Sequence, residues 1–252
     1  MHRFYLPPEQ TTGDPLLLRD REAHHAAHVL RLKAGDTVEV LDGVGTQLTC
    51  EVVRVTRKEM SLTTRRRTVV ARRPFDITLL QAIVKGKTME TIIQKGTELG
   101  VTRIVPIQTE RTVSQLDNEG AQSKQTKWQL LAIEAIKQCG AAWLPKIDTP
   151  ITPGAFLKHG EKFDLSLVGS LEGDGRHARH WFQSLSAPPR HVAVWIGPEG
   201  DFTPAELESI RASGAKPITL GDLVLRADTA AIYSLSVIRH ELEWLSATGS
   251  TP

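Results

Sequence analysis

The chain has 252 residues, of which 40% are hydrophobic and 24% charged, so it is long enough to bury a substantial core. No apolar run approaches the roughly 20 residues that a membrane-spanning helix needs, and the first residues, MHRFYLPPEQ, lack the apolar stretch of a secretory signal. Two cysteines, Cys50 and Cys139, make neither a disulfide framework nor a metal cluster. We therefore expect a cytoplasmic protein with no membrane partner.

The first 73 residues are predicted to form a small β-barrel. Glu22 to Leu32 is a helical exception, and the residues after it alternate between apolar and polar, with turns at Gly35 and Asp42. The β-branched residues suited to the barrel strands are Val38, Val40, Val52, Val53 and Val55. An arginine-rich segment ending at Pro74 is the predicted join to the rest of the chain, because proline does not fit inside a central strand.

The net charge is only +2, but its distribution is uneven. One segment has eight basic residues and a single acid, Glu59; the basic residues are Arg54, Arg57, Lys58, Arg65, Arg66, Arg67, Arg72 and Arg73. Such an excess attracts phosphate groups. The alternative is a linker that its charges keep solvated.

From Phe75 onward, apolar strands alternate with helices, which predicts an α/β fold with a mainly parallel sheet covered on both faces. The predicted strands are 76–84, 101–109, 164–170, 191–197 and 216–221. The predicted helices are 87–100, 127–140, 204–213 and 229–245. Gly100 is expected to terminate the first of these helices. In the second, Leu130, Ile133, Ala135 and Ile136 are expected to face a core.

Three glycine-rich loops follow the last three predicted strands: Gly169–Gly175, Gly197–Asp201 and Gly221–Thr229. Ligands of open parallel sheets bind beyond the carboxyl ends of the strands, and glycine lets a ligand approach the backbone closely. One such loop can be an ordinary tight turn. Three at successive strand ends favour a ligand site.

Several common sites are absent from the sequence. It contains no G-x-G-x-x-G after an early strand and no phosphate-binding G-x-x-x-x-G-K-[ST], and it also lacks C-x-x-C, H-E-x-x-H and G-x-S-x-G. His24 and His28 have a spacing that can hold zinc, but no carboxylate or cysteine partner is in view. No metal is expected.

The segment after the second glycine loop has the pattern of a helix start. Thr203 is predicted to cap the helix, with Pro204 in its first turn, Glu206 completing a capping box and Gly214 closing the helix. Glu199 lies in the loop itself. It can bind a ligand hydroxyl, orient a neighbouring loop or simply be exposed.

Taken together, these segments resemble the bacterial 16S ribosomal RNA (uracil-N3)-methyltransferases of the SPOUT superfamily. The similar motifs run in order along nearly the whole chain: HHAAHVLRLKAGD, QKGTELGVTRIVPIQTERTV, IEAIKQCG, GPEGD and LGDLVLRADTA. Two departures are visible. Asp201 stands where a second glycine is commoner, and Ala227-Asp228 stands where Thr-Glu or a similar pair is usual.

The resemblance implies a PUA-like RNA-binding β-barrel over residues 1–73 and a SPOUT α/β domain with a C-terminal trefoil knot over residues 74–252. The implied reaction transfers a methyl group from S-adenosylmethionine to N3 of a uridine in 16S ribosomal RNA (the m3U1498 type). The substrate is the naked RNA or the assembled small ribosomal subunit. The implied assembly is a homodimer, for which an apolar stripe on the last helix is one candidate interface. Packing of that stripe against its own sheet is the alternative. The stripe consists of Leu235, Ile238, Leu242 and Leu245.

The resemblance also implies residues that bind the cofactor and the RNA. The implied cofactor-binding residues are Val168, Gly169, Ile196, Gly197, Pro198, Glu199, Gly200, Leu220, Gly221, Leu225, Thr229 and Ala230. The implied RNA-binding residues are Arg3, His25, Arg31, Lys33, Arg65, Arg66 and Arg67. Arg226 lies in the loop between the cofactor glycines and the last helix, which makes it the candidate catalytic residue that stabilises the uracil anion by its charge; a structural ion pair, for example with Glu199, is its alternative. Asp228 is a base or, as we favour, the N-cap of the last helix. Glu134 and Gln138 can hydrogen-bond the substrate or the partner subunit.

Two rival functions are also compatible with the sequence. One is a non-catalytic RNA-binding or ribosome-assembly factor, against which the intact glycine loops argue, because a pure binder needs no cofactor pocket. The other is a SPOUT enzyme that methylates another RNA atom, such as a ribose 2′-hydroxyl. The length of the resemblance argues against it, but no single residue excludes it.

Overall fold

The computed structural model of the chain describes residues 1–56, 58–112 and 116–248, so Arg57 of the basic segment and Val113 of the similar motif lie outside the described residues. The chain divides into two compact units. The first consists of residues 1–72 with 133–144, and the second of residues 73–132 with those from 145 onward. No feature of the sequence had indicated that residues 133–144 belong to the first unit.

The first unit is built on a five-stranded sheet curled into a half-barrel. Its strands are β1 (His2–Tyr5), β2 (Leu16–Arg19), β3 (Thr37–Leu41), β4 (Thr46–Val55) and β5 (Glu59–Val69). They lie in the order β1-β3-β4-β5-β2, and only β1 and β3 pair in parallel. Alternate residues such as Phe4, Val38, Val40, Val52 and Leu62 form its buried core.

Two details of this unit differ from expectation or add to it. Val53 is 52% exposed, because it follows the buried Val52 and successive residues of a strand face opposite sides. The predicted helix is present as α1 (Asp20–His24), which continues into one π-helical turn (His25–Val29). Ala23 and Ala26 are its buried residues.

The second unit is a six-stranded sheet in which every neighbouring pair is parallel. Its strands are β6 (Asp76–Ala82), β7 (Arg103–Ile107), β8 (Lys146–Ile147), β9 (Leu165–Gly169), β10 (His191–Ile196) and β11 (Lys216–Ile218). The order β11-β9-β10-β6-β7-β8 brings the last three strands together at one side of the sheet. The predicted parallel α/β fold is confirmed.

Helices cover both faces of this sheet. They are α2 (Gly86–Glu98), α3 (Asn118–Cys139), α4 (Pro153–Lys158), α5 (Ala178–Gln183), α6 (Pro204–Ala212) and α7 (Ala227–Thr248). Trp195 and Leu80 pack in one buried cluster with Phe156 of α4 and with Leu207 and Ile210 of α6. No helix in the described part of the chain is long and apolar enough to cross a membrane.

The apolar stripe on α7 is part of this core. Leu235, Ile238, Leu242 and Leu245 are all buried, and α7 lies against α2, β6 and β10. The alternative that the stripe packs against its own sheet is confirmed. The prediction that the stripe forms a subunit interface is wrong, because its residues are already buried.

The buried side of α3 also differs from the prediction. Leu130 is 51% exposed, whereas Trp128, Ala132, Ala135 and Ile136 are buried. Leu130 lies about 200° around the helix from Trp128, on the opposite side. The apolar residues of α3 extend around too much of its circumference for the pattern to select one face.

Helix ends follow the predicted chemistry. Gly100 closes α2 with a φ of +78°, a conformation that glycine adopts without strain. At the start of α6, the Thr203 side chain accepts the N–H of Glu206, whose carboxylate in turn accepts the N–H of Thr203. The capping box is therefore confirmed, and it fixes the start of the helix just beyond the second glycine loop.

Candidate active site

The three glycine loops surround one pocket at the carboxyl ends of β9, β10 and β11. We define the first loop as residues 170–175, the second as 197–203 and the third as 219–226. In the sheet, Gly169 lies opposite Ile218 and Val168 opposite Trp195, so the three strands end at the same level. The strand-end pocket is the cavity between these loops.

The first loop runs back along β11. The N–H of Ser170 donates to the carbonyl of Ile218 over 3.1 Å, and the N–H of Arg176 donates to that of Pro217 over 3.2 Å. A Cβ atom on Gly175 would lie 2.6 Å from the backbone nitrogen of Thr219, so only glycine fits there. The trefoil knot stays a prediction.

The second loop is a tight turn that places Asp201 on the wall of the pocket. Asp201 has a φ of +59°, which is uncommon for a residue with a side chain, and its carboxylate accepts the N–H of Phe202 over 2.8 Å. Burial raises the pKa of Asp201 above its usual range, and Glu172 adds to the rise, while the Phe202 N–H and the cations Arg111 and Arg211 oppose it. Arg111 donates to the carbonyls of Gly200 and Phe202.

Most of the predicted cofactor-binding residues line the strand-end pocket. They are Gly169, Ile196, Gly197, Pro198, Glu199, Leu220, Gly221, Leu225 and Ala230. Val168 is instead buried in the core, Gly200 is exposed beside Arg111, and Thr229 lies on the outer surface of α7.

Seven further residues line the pocket that sequence reasoning did not assign to it: Ser170, Leu171, Asp201, Thr219, Leu223, Val224 and Ala227. All belong to the same loops or to the residue after them, so adjacency to the glycines was the available signal. Leu171, Leu223 and Val224 are 61%, 73% and 78% exposed, which gives the pocket an apolar rim.

Arg226 is exposed immediately before α7. Its backbone carbonyl accepts the N–H of Ala230 over 2.8 Å, whereas its guanidinium makes no hydrogen bond or ion pair with any described residue. The ion pair with Glu199 that we considered as its alternative is not formed. Asp228 lies inside the first turn of α7, so its interpretation as the N-cap is wrong; its carboxylate accepts the N–H of Thr229 over 3.0 Å.

The predicted RNA-binding cations of the first unit have different surroundings. Arg3 pairs with Glu39 at 2.7 Å and donates to the carbonyls of Lys137 and Gln138 at the end of α3, so the structure gives it a role in stability. Arg65 pairs with Glu51 at 2.9 Å, and Arg67 donates to the carbonyl of Thr11 over 2.6 Å. Arg66 is exposed and makes no such contact with the described residues.

The remaining cations lie around the π-helical turn. Arg31 has a φ of +55°, and both Arg31 and Lys33 are exposed, while His25 is partly buried. The rings of His24 and His28 contact each other in a tilted arrangement, with centroids 4.6 Å apart. Among the described residues, no group of three or more His, Cys, Asp or Glu side chains is arranged to hold a metal ion.

Glu134 and Gln138, predicted to contact substrate or a partner subunit, lie on the last turns of α3. Glu134 pairs with Lys137 at 3.1 Å, and Lys137 also pairs with Glu22 at 2.8 Å. Gln138 is exposed and uses its carbonyl to accept Arg3. The structure assigns Glu134 an ion pair within the first unit.

Two family models match the chain. Residues 71–239 match the model of the RNA methyltransferase domain, and residues 18–64 match the model of the RNA methyltransferase PUA domain. The ribosomal RNA small subunit methyltransferase E of Bacillus subtilis is 31% identical over 97% of this chain and 98% of its own length. That of Synechocystis is 32% identical over 96% of this chain and 78% of its own length.

Solved structures of methyltransferases are also similar to this chain. Lpg2936 of Legionella pneumophila, in complex with the bound cofactor SAM, superposes with a TM-score of 0.86 at 34% identity, over 94% of this chain and 96% of that one. The ribosomal RNA small subunit methyltransferase E of Neisseria gonorrhoeae, bound to S-adenosyl methionine, gives a TM-score of 0.84 at 26% identity, over 95% and 97% of the chains.

The fold and the pocket thus define an RNA methyltransferase of the SPOUT type that carries a PUA domain. The near-complete coverage at about one-third identity narrows this class further. The chain belongs to the ribosomal RNA small subunit methyltransferase E family.

Proposed function

We propose that this chain transfers a methyl group from S-adenosylmethionine to N3 of one uridine in 16S ribosomal RNA, the m3U1498 type of modification. The observation that carries the proposal is the strand-end pocket, where three loops converge beyond the parallel strands in a chain of this family. The alternatives are methylation of another RNA atom and RNA binding without catalysis.

The residues of the pocket fit the methyl donor. Backbone groups near Gly169, Gly197 and Gly221 can hydrogen-bond an adenine edge and a ribose, while Leu220 and Leu225 offer apolar surface to the adenine ring and the sulfur. No other atom lies within 4 Å of the position of a Cβ on Gly221, so the backbone there borders open space. Bound S-adenosylmethionine supplies an activated methyl group on a sulfonium sulfur.

Methylation of N3 requires a uracil that has lost its N3 proton, which is weakly acidic at neutral pH. A positive charge near O2 or O4 favours the uracil anion. Arg226 is suited to this task, because it is the last residue of the third loop and its guanidinium is exposed, with no partner among the described residues. Asp228 is less suited to act as the base, because its carboxylate accepts an N–H of its own helix. We infer that Arg226 provides the stabilising charge.

The RNA is bound by the first unit in this proposal. Its match to the RNA methyltransferase PUA model and its exposed cations Arg31, Lys33 and Arg66 support phosphate contacts. Phosphate contacts fix register but carry little sequence information. The choice of uridine then comes from flipping the base into the strand-end pocket.

We also propose that the enzyme is a cytoplasmic homodimer that associates through the outer side of α7. The inner side of α7 is buried in its own core, but Tyr233 and Trp244 on the other side are 43% and 50% exposed. Ile232, Val237 and His240 share a concave surface with Tyr233. Apolar and aromatic residues at helical spacing on an exposed face are typical of an interface.

The proposed reaction is tested by mapping the modified nucleotide. Purified protein is incubated with methyl-labelled S-adenosylmethionine and either 16S ribosomal RNA or small subunits, and the labelled nucleotide is identified by mass spectrometry. We expect 3-methyluridine at one position. A 2′-O-methylated nucleotide would overturn the N3 assignment, and the absence of label together with tight RNA binding would support the non-catalytic alternative.

A further inference from the structure

The first loop is fastened at both ends, but its tip is not held by the core. Ser170 and Arg176 are hydrogen-bonded to β11, whereas Leu171 at the tip is 61% exposed and lines the strand-end pocket. Gly173 has a φ of +77°. Because the tip buries no large apolar side chain, its conformation depends on polar contacts.

Arg211 of α6 supplies those contacts. Its Nη1 lies 2.8 Å from Glu172 Oε2, and its Nη2 lies 2.9 Å from Asp174 Oδ2. The same Nη2 donates to Ser170 Oγ over 3.0 Å, and Ser170 Oγ donates to Asp174 Oδ1 over 2.9 Å. One guanidinium therefore contacts Ser170, Glu172 and Asp174 of the first loop.

The helix that carries Arg211 is a rigid support. The capping box of Thr203 and Glu206 fixes its start, and Leu207 and Ile210 anchor it in the buried cluster. The Arg211 side chain is 28% exposed, whereas its partners Glu172 and Asp174 are 52% and 43% exposed, so the pairs reach from the support of α6 to the solvent-facing loop.

We propose that Arg211 is a positioning residue of the strand-end pocket, which holds the first loop through Glu172 and Asp174 so that Leu171 covers the bound methyl donor. The inference rests on the proposed function, because it assigns the methyl donor to this pocket. Arg211 does not line the pocket itself and acts through Leu171. Without its guanidinium, the loop samples other conformations and binding must select one of them, which weakens affinity.

The test uses Arg211→Gln and Arg211→Lys with calorimetric binding of S-adenosylmethionine and S-adenosylhomocysteine. Breaking two or three such pairs should lower the affinity of the Gln variant for both ligands about fivefold to tenfold. The Lys variant should be intermediate, because one ammonium cannot reproduce the planar set of donors. The transfer rate at saturating donor should stay within about twofold of wild type, because Arg211 touches no reacting atom.

Arg103→Gln is the matched control. Arg103 also pairs with two carboxylates, Asp148 and Glu161, but it lies at the amino end of β7, whereas the strand-end pocket lies at the carboxyl ends of the parallel strands. The Arg103→Gln substitution should lower the melting temperature as Arg211→Gln does, but it should leave donor affinity unchanged. Equal losses of affinity in the two variants would mean that Arg211 has only a general role in stability.

A double-mutant cycle with Leu171→Ala tests whether Arg211 affects donor binding through Leu171. If Arg211 acts through Leu171, removal of Arg211 from the Leu171→Ala protein should weaken binding far less than removal from wild type. Fully additive losses, or an Arg211→Gln protein that binds the donor as tightly as wild type does, would overturn the inference. A wild-type protein with no affinity for the donor would overturn the proposed function itself.

Discussion

Gly197 and Asp201 lie against each other at the two ends of one turn: a Cβ atom on Gly197 would stand 2.7 Å from Asp201 Oδ1 and 3.3 Å from Asp201 Cα. Both residues line the strand-end pocket. A side chain at Gly197 would therefore clash with the Asp201 carboxylate, which accepts the N–H of Phe202, and would also press on the backbone of Asp201 and Phe202 at 3.3 Å. A substitution at Gly197 therefore alters the wall of the pocket at this turn.

Gly197→Ala should weaken the binding of S-adenosylmethionine by about tenfold or more, because the turn must open to accept the added methyl group. RNA affinity should be unchanged. Calorimetry with the donor and gel-shift titration with RNA measure the two affinities. Gly154→Ala is the control, since no atom lies within 4 Å of its Cβ position and its φ is not positive. A folded Gly197→Ala protein with wild-type donor affinity would place the donor elsewhere.

Asp201→Asn should stabilise the protein at neutral pH. Burial raises the pKa of Asp201, so the folded protein keeps this proton to higher pH than the unfolded chain does. Stability is therefore lost as pH rises from the ordinary value of 3.8 through the raised pKa, and the loss is complete above it. Asn removes the charge and tolerates the positive φ. The melting temperatures of variant and wild type should converge below the ordinary pKa.

Asp164→Asn is the control with the opposite sign. The N–H groups of His191 and Arg190 hold the pKa of Asp164 below its usual range, with the Asp164 carboxylate 2.9 Å and 2.7 Å from the two nitrogens. Its contribution to stability is present above the unfolded pKa and is lost as pH falls through the folded one. This variant should melt at a lower temperature than wild type at neutral pH. If the melting temperatures of the two variants changed with pH in the same direction, the raised pKa of Asp201 and the lowered pKa of Asp164 would both be contradicted.

Arg226→Ala should lose transfer by on the order of 100- to 1000-fold, whereas Arg226→Lys keeps the charge and should retain part of the rate. Donor affinity and melting temperature should change little, because the guanidinium has no partner among the described residues. Single-turnover methyl transfer beside thermal melting separates catalysis from stability. Arg239→Ala is the control. It removes an arginine from the same helix whose side chain is already paired with Glu243, so the transfer rate should not change. A near-normal rate in Arg226→Ala would exclude the catalytic role.

Arg66→Gln should reduce the dependence of RNA affinity on salt by about 0.7 to 0.9 in the log–log slope, the contribution of one phosphate contact. Arg65→Gln should reduce it less, because Arg65 already pairs with Glu51. Filter binding at several salt concentrations gives both slopes. The opposite ranking, or no change in either variant, would mean that these arginines only keep the surface of β5 solvated.

Tyr233→Arg should convert a dimer into a monomer, because it places a charge in the middle of the proposed interface on α7. Light scattering coupled to size exclusion measures the mass. Glu208→Arg, on the exposed side of α6, should leave the mass unchanged. A wild-type protein that is monomeric at micromolar concentration, or a Tyr233→Arg protein of dimer mass, would contradict this interface.

Five of the six strands and four of the six helices of the second unit were predictable, because apolar strands alternate there with helical segments. The two-residue strand β8 and the six-residue helices α4 and α5 were missed, since they are too short to carry a pattern. The glycines also located the three loops that meet at the pocket, since backbone geometry is encoded directly in that residue type. Side-chain pairing was less visible. The partners of Arg3 and of Arg211 are distant in the chain, and the sequence carries no local trace of them. The opposite faces of Val52 and Val53, and of Trp128 and Leu130, depend on strand register and helix rotation that composition does not determine.

The hydrogen bonds between the first loop and β11 also bear on how the protein is made. Ser170 and Arg176 find their partners only when Pro217 and Ile218 are present, and β10 lies between them in the chain. On a ribosome, the first loop emerges well before β11 does, so it must wait for its partners. Contacts of this kind form late in folding because a long segment has to be closed before they can form. Donor binding should therefore appear as one of the last events in the biosynthesis of the protein.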